Sequence, residues 1–450
     1  MTTTHFGDRM ISKSMTVLAS IFIPLLAVGQ SIKSDEFILN NGLKVVMVED
    51  HTVPSICFAI AFHVGSRNER QGNTGISHLF EHMMFNGSKK YRPMEFDKIL
   101  ENGGGYSNAY TSNDITFYYE EFNPDLLDRV IDMEADRMRS LKLDTANIEQ
   151  ERGIVKEERR VSTDNSVRGS MVEDLYAASF VAHPYHNPVV GWMKDIDNIT
   201  LQDAKDYFRI YYAPNNATAF VVGDFESKSL RKRMERAFGN IPRQPKPRPV
   251  IDAEPEQQGE KRIKLHKVAE LPAVAVGYKS ASVSSPDIYA LNILATILAR
   301  GESSRLYKEL VHDEQLCTEI SAGTDEFIDP GLFTIFAQMH EGKSVDDAEE
   351  EIYKIINGIS ADGVTDEELQ KAKNIAQSDY VDNFKTNEGV AGRLGYYEVV
   401  YGDYRKSFKV LDEYAKVSTE QIKRVAAKYL NERQRTVVVL VPEKTPTKSN

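Results

Sequence analysis

Two histidines and a glutamate stand at a spacing that could build a metal centre. His78, Glu81 and His82 fall in a segment that Asn73 or Thr74 would cap as a helix. Because His78 and His82 are four residues apart, both imidazoles project from one face and can bind one metal ion. The order H-x-x-E-H inverts the H-E-x-x-H signature of zinc proteases. The pattern favours a zinc site whose glutamate acts as a base, and two incidental surface histidines are the alternative.

A zinc site of this kind needs a third protein ligand and an open position for water. The predicted helix over residues 145–162 offers candidates, because Glu151 and Glu158 are seven residues apart and point to nearly the same side. Ile154 and Val155 lie between them on that stripe, and an acid on an apolar face is costly unless it is paired or binds a metal. The alternative is a solvated helix with ion pairs between neighbouring turns.

Three sequence blocks in this order resemble one protein family. They are the inverted motif, the stretch 104–112 (GGYSNAYTS) and the stretch 151–158 (ERGIVKEE). Together they are similar to the pitrilysin/insulinase family of zinc metallopeptidases, which includes the mitochondrial processing peptidase. The resemblance extends over about residues 37–442.

The resemblance implies a role for each residue of the site. It implies that one zinc ion per chain is bound by His78, His82 and Glu158. It also implies that Glu81 is the general base, taking a proton from water held by the metal and passing it to the leaving amine. Glu151 matches a position that supports the site from behind the ligands.

The resemblance also implies how substrate is held. Asn108 and Ala109 match an edge strand that, in the family, pairs with the substrate backbone as an added strand. Because strand addition needs an extended partner, the expected substrates are extended or unfolded peptides. The sequence leaves their identity open.

The elements that must position these residues occur twice in the chain. Residues 53–60, 200–205 and 218–222 are echoed by residues 271–278, 418–423 and 436–440, at a constant offset of 218. The repeat predicts a catalytic domain over residues 30–240 and a related domain over residues 262–450. The Pro-rich, charged residues 241–261 would link them. Clustered helices and paired strands predict an α+β fold, in which each domain is a mostly antiparallel sheet covered by helices on one face.

The second domain is expected to be inactive. At the offset of 218, Thr296, Ala299 and Arg300 stand where the first domain has the inverted motif, and Ala376 replaces Glu158. None of these four side chains supplies a carboxylate, imidazole or thiolate to zinc.

A further departure from the family concerns substrate binding. Active members often carry an Arg, followed seven residues later by a Tyr, that grips the substrate near the scissile bond. The matching positions here are Val311 and Thr318, so this pair is absent. The resemblance therefore implies the zinc subunit of a two-subunit peptidase, with a sister chain supplying the pair. A homodimer is the alternative.

The first thirty residues indicate export. Arg9 and Lys13 precede an apolar run over residues 15–28, and small residues at 27–29 fit a signal-peptidase site. The run is shorter than the roughly 20 residues that span a bilayer. A cleaved signal over residues 1–29 and a periplasmic or secreted enzyme are predicted, with an uncleaved anchor as the alternative.

Composition excludes several other classes. Asp and Glu outnumber Lys and Arg by 67 to 55, which argues against a nucleic-acid binder. Two cysteines, Cys57 and Cys317, cannot form a disulfide scaffold or a four-cysteine zinc module, and we expect separate thiols. A non-catalytic structural subunit of the same family remains an alternative, although such chains usually lose a histidine or the glutamate. A zinc lyase with the same motif is a single small domain, unlike this duplicated chain.

Overall fold

The computed structural model describes residues 32–251 and 253–443, so the predicted signal over residues 1–29 lies outside the described residues. Eleven strands are found in these ranges. They are β1 (Asp35–Ile38), β2 (Lys44–Glu49), β3 (Ile56–Phe62), β4 (Tyr106–Thr111), β5 (Thr116–Phe122), β6 (Ala217–Gly223), β7 (Lys261–Val268), β8 (Ala273–Lys279), β9 (Cys317–Thr324), β10 (Leu332–Met339) and β11 (Arg435–Glu443).

Fourteen α-helices complete the described chain. They are α1 (Ile76–Met83), α2 (Glu95–Asn102), α3 (Leu127–Ser140), α4 (Thr145–Arg159), α5 (Val167–Ser179), α6 (Met193–Asn198), α7 (Leu201–Tyr211), α8 (Ser227–Phe238), α9 (Asp287–Ala299), α10 (Val345–Asp362), α11 (Asp366–Asn383), α12 (Asn387–Val399), α13 (Val410–Lys416) and α14 (Thr419–Tyr429). A π-helical turn, Arg160–Asp164, extends α4.

The strands form two sheets of the same design. The first has six strands in the order β1-β2-β6-β3-β5-β4, and the second has five in the order β7-β11-β8-β10-β9. Each is antiparallel except for one parallel pair, β2 with β6 and β7 with β11. The predicted α+β class with two sheets is confirmed. The common order of β2-β6-β3-β5-β4 and β7-β11-β8-β10-β9 agrees with the sequence repeat.

Each sheet packs its own helices over one apolar face. The first buried cluster joins Phe58 and Val221 of the central strands to Phe80 of α1 and Val130 of α3. The second joins strands and helices in the same way, through Val276, Leu291, Ile352 and Val425. Strands β3 and β6 are buried at every position, which explains their continuous apolar sequences.

The opposite face of each sheet is covered by a helix from the other half of the chain. The sequence predicts helices on one face of each sheet, so this second covering is an addition. Helix α5 packs Met171 and Leu175 against the second sheet. Helix α12 packs against β3, β5 and β6 of the first sheet. There a Cβ at Gly395 would come within 2.5 Å of the Phe117 ring, so glycine permits the close approach. We refer to this arrangement as the helix exchange.

The segment between the two sheets contains neither helix nor strand over residues 242–251 and 253–260. Its role as a linker between domains stays a prediction. Both cysteines are buried free thiols, one in each sheet. Among the described helices, none combines the length and apolarity needed to cross a membrane.

Candidate metal centre

The candidate centre is built on the exposed side of α1. Leu79, Phe80 and Met83 are fully buried in the first core and fix the orientation of the helix. His78 and His82 therefore project from the opposite side, where their ring centroids lie 5.0 Å apart. Both rings are partly buried, as expected for ligands set into a cleft.

The predicted start of this helix is wrong by one or two residues. Neither Asn73 nor Thr74 caps α1, since Gly75 occupies the N-cap with φ +87°. A side chain there would be strained, and a Cβ would lie 2.5 Å from the carbonyl oxygen of Val190. Thr74 instead donates its hydroxyl hydrogen bond to Asp195, at 2.8 Å.

A carboxylate missed by the sequence analysis takes over the capping role. Glu69 is buried and accepts hydrogen bonds from the backbone N–H groups of Gly75 and Ser77, each at 2.8 Å. These N–H groups belong to the first turn of α1 and have no partner within the helix. Glu69 thus fixes the end of the helix immediately before His78. It lies in a loop, so no sequence periodicity marks it.

Helix α4 supplies the third candidate ligand. Asp144 caps this helix by accepting the N–H of Asn147 at 2.9 Å. Val155 is buried, whereas Ile154 is 41% exposed and lines the cleft, so the predicted apolar stripe is only partly in the core. Of the two acids on the stripe, Glu151 is buried and Glu158 is exposed.

The ligand atoms converge on one point. Nε2 of His78 and Nε2 of His82 lie 3.6 Å and 3.2 Å from the same carboxylate oxygen of Glu158. The three ligand atoms are all within 4.8 Å of one another. Donors bound about 2.0–2.1 Å from a tetrahedral zinc ion lie about 3.4 Å apart. Two imidazoles and one carboxylate at these separations fit zinc, with a fourth position open.

Glu151 stands behind the ligands rather than among them. Its carboxylate lies 3.5 Å from Nδ1 of His82, on the side of the ring away from Glu158. Burial acts to raise the pKa of Glu151, but hydrogen bonds from His82, Asn86 and Gln150 lower it overall, so the side chain stays ionised. An ionised partner on Nδ1 directs Nε2 toward the metal position.

Burial shifts the pKa values of His78 and Glu81. It lowers the pKa of His78 to about 4, with a further contribution from the charge of His82, so the ring is neutral and able to bind a metal near pH 7. Burial also raises the pKa of Glu81, while the polar groups of Thr111 and the charge of His82 oppose the rise. A higher pKa makes Glu81 a stronger base.

An edge strand lies where the sequence predicts substrate binding, and its role in binding stays a prediction. Strand β4 lies at the edge of the first sheet and, within the described chain, pairs only with β5. Asn108 is exposed on this strand and Ala109 is half-buried. Neither lines the metal cleft itself. Tyr110 and Thr111, the next two residues, do so.

An open cleft connects this strand to the candidate ligands. It has a volume of about 660 Å³ and is lined by His78, Glu81 and Glu158 together with Thr111. Apolar surface comes from Ile154, Val161, Val189 and Val190, and Tyr110, Glu157 and Ser162 complete the lining. Such a cleft can hold an extended chain next to the base.

The positions expected to be inactive in the second half form no metal site. Thr296 donates its hydroxyl to the carbonyl of Asn292 at 3.1 Å, and Arg300 pairs with Asp379 at 2.7 Å. Among the described residues, the only other grouping with metal-binding distances is Glu49, His51 and Glu226, all exposed.

Comparison with known proteins identifies the family. Residues 44–191 match the family model described as insulinase (peptidase family M16), and residues 198–376 match the M16 inactive domain. The zinc protease PqqE of Helicobacter pylori is 33% identical over 444 residues, covering 97% of this chain and 100% of that protein. The chain belongs to the insulinase family. The resemblance seen in the sequence is therefore confirmed.

Solved protease structures share the fold. A protease from H. pylori superimposes with a TM-score of 0.88 at 33% identity, covering 91% of this chain and 99% of that one. The periplasmic protease PqqL of Escherichia coli gives a TM-score of 0.75 at 16% identity. That match covers 91% of this chain but 48% of PqqL, so the likeness is one of fold with about half of a longer protein.

Proposed function

We propose that this chain is a zinc-dependent endopeptidase that hydrolyses extended or unfolded peptides. The observation that carries the proposal is the convergence of His78, His82 and Glu158 on one point, with Glu81 facing the same open cleft. Names of family relatives such as zinc protease PqqE support the same metal and reaction. All four side chains come from two helices whose buried faces belong to the first core.

The chain's own residues would divide the reaction as follows. Zinc bound by the three ligands would act as a Lewis acid and lower the pKa of water. Glu81 would accept the proton of the attacking water and deliver it to the leaving amine. Strand β4 would hold the peptide backbone by strand addition. Glu151 would keep the His82 ring oriented while the charge at the metal position changes during the reaction.

Two finer features belong to the proposal. The absence of the Arg/Tyr pair at Val311 and Thr318 supports a two-subunit enzyme in which a sister chain completes the substrate site. The apolar run near the N terminus supports export, and the likeness in fold to the periplasmic protease PqqL of E. coli agrees with it. We therefore infer a periplasmic or secreted zinc subunit.

Glu81→Gln tests catalysis directly. Because Glu81 is not a proposed ligand, the variant should keep one zinc per chain, measured by elemental analysis, and lose hydrolysis of an unfolded peptide mixture by at least about 100-fold. Equal hydrolysis by wild type and variant would refute the assignment of Glu81. A wild type that binds zinc yet cleaves nothing, with or without a sister chain, would favour the structural-subunit alternative.

The subunit arrangement needs its own experiment. The purified chain should gain activity when a sister chain that carries the Arg/Tyr pair is added, and the two should elute together from a sizing column. Full activity as a monomer would contradict the two-subunit proposal. Activity only as a homodimer would replace the sister chain by a second copy.

A further inference from the structure

The second half contains a polar pocket at the place that corresponds to the metal centre. Thr296 of α9 and Ala376 of α11 are the counterparts of His78 and Glu158 at the offset of 218. Both line a cavity of about 160 Å³. The metal ligands are replaced there, but the space between the two helices remains.

A cation and an anion face this pocket without pairing. Arg393 of α12 and Glu326, between β9 and β10, both line it, together with Asp379, which pairs with Arg300 at 2.7 Å. Across the described ranges, no ion pair joins Arg393 to any carboxylate or Glu326 to any cationic side chain at 4.0 Å or less. Both side chains are half-buried, where a charge gains more from a partner than it does in bulk water, so a ligand with complementary charges would be favoured.

Other contacts hold the two charged groups in place. Arg393 donates to the hydroxyl of Tyr397 at 3.0 Å and stacks over its ring at 4.5 Å, while its Nε–H is buried without a partner among the described residues. Glu326 accepts one hydrogen bond from Asn292 at 2.5 Å. The pocket therefore presents a fixed donor group and a fixed acceptor group.

We propose that this pocket binds a small α-amino acid as a zwitterion. The carboxylate of the ligand would pair with Arg393 and its ammonium group with Glu326. The cavity has a volume of about 160 Å³, which limits the ligand to a small molecule. Glycine and alanine, with five and six heavy atoms by their chemical formulae, match that size. The proposal is independent of whether the metal centre is active.

Titration calorimetry on the full chain with glycine and alanine tests the proposal. We expect saturable binding with one site per chain. Acetate carries only the negative group and methylammonium only the positive one, so each should bind at least about tenfold more weakly than glycine. No saturable binding of either amino acid at millimolar concentration would overturn the proposal. Acetate or methylammonium binding as tightly as glycine would also overturn it.

Variants locate the site. Arg393→Gln and Glu326→Gln should each weaken glycine binding by at least about tenfold, because each removes one charge-assisted contact. Glu326→Gln is isosteric and keeps an oxygen for Asn292, so it remains informative if Arg393→Gln fails to fold. Arg433→Gln, on an exposed turn of the same half, removes the same charge and should bind like wild type. Unchanged binding in Glu326→Gln would overturn the assignment.

Discussion

The carboxylate of Glu69 accepts a hydrogen bond from the backbone N–H of Ser77 at 2.8 Å, one residue before the first candidate ligand. A second bond from Gly75 has the same length. Burial raises the pKa of Glu69 to about 8 in spite of both bonds. Glu69, a loop residue that contacts no candidate ligand, thus holds the first turn of α1 in place by hydrogen bonds.

Replacing this carboxylate should loosen the metal helix. In Glu69→Ala two N–H groups lose their partner inside the protein, so the free energy of unfolding should fall by about 2 kcal/mol or more. Zinc affinity should fall with it, because His78 is no longer fixed. Urea unfolding and competition with a chromophoric chelator measure the two effects.

Glu95→Ala is the matched control for that variant. Its carboxylate also accepts a backbone N–H, from Arg92 at 2.8 Å, but in an exposed setting on α2. The loss of stability should stay below about 1 kcal/mol, and zinc affinity should not change. Equal effects of the two variants would show that Glu69 has no special role in positioning α1.

Neighbouring acids on α4 should differ sharply in metal binding. Glu158→Gln removes a proposed ligand and should lower zinc affinity by more than about 100-fold, beyond the loss typical of a supporting residue. Glu157→Gln changes an exposed acid paired with Arg160, and zinc affinity should stay within about twofold of wild type. Chelator competition compares the two. Similar losses of zinc affinity in the two variants would mean that zinc is attracted by the overall negative charge of the cleft and not bound by Glu158 as a ligand.

Glu151→Ala should have an intermediate effect. Loss of the partner on Nδ1 leaves His82 free to turn, so zinc affinity should fall by about 10–100-fold while one zinc per chain still binds at high metal concentration. The measurement is a zinc titration followed by elemental analysis. A loss as large as that of Glu158→Gln would make Glu151 a ligand instead.

Two aspartates at the junction of the halves, the buried Asp114 and the half-buried Asp325, predict a pH dependence of stability. Asp114 accepts the hydroxyl of Tyr185 at 2.9 Å, and Asp325 accepts that of Tyr176 at 2.8 Å. Burial raises the pKa of each carboxyl group from 3.8 to about 6. A raised acid pKa favours the protonated fold, so this contribution is complete below pH ~4 and is lost as the pH rises through about 6.

Asp325→Asn isolates one of these contributions. The amide is neutral at every pH and can still accept from Tyr176, so the decline in stability between about pH 4 and 6 should flatten by about 1–3 kcal/mol. Denaturant unfolding at several pH values measures it. Asp346→Asn, on the exposed first turn of α10, should leave the profile unchanged. An unaltered decline in Asp325→Asn would disprove the effect of burial.

Much of the fold could be predicted because its signals are local. Apolar and β-branched runs between turns predict buried strands over residues 116–122 and 273–279, and the structure has strands with these bounds. The spacing of Thr200 with Asp203 and of Ser418 with Gln421 predicts capping boxes, and both form. The two helices of the candidate metal centre can be predicted for the same reason, because His78 and His82 are four residues apart and Glu151 and Glu158 are seven apart.

The remainder depends on contacts between distant parts of the chain. The sequence does not predict helix α12, because its three glycines and weak amphipathicity argue against a helix. In the structure, close packing against Phe117 requires a small residue at this place in the helix. Strand β7 (KRIKLHKV) lies at a sheet edge, and its charged residues weaken the apolar signal that would predict a strand. Glu69 could not be found, since its partners are backbone N–H groups.

The helix exchange affects how the chain folds while it is being synthesised. Synthesis proceeds from the N terminus, and domains normally fold as they emerge. Here the outer face of the first sheet stays uncovered until α12, ending at Val399, has been made. A chain that stops earlier carries every candidate metal ligand but leaves an apolar sheet face open to chaperones and proteases. The exchange thereby ties the burial of the first sheet to the completion of the second half.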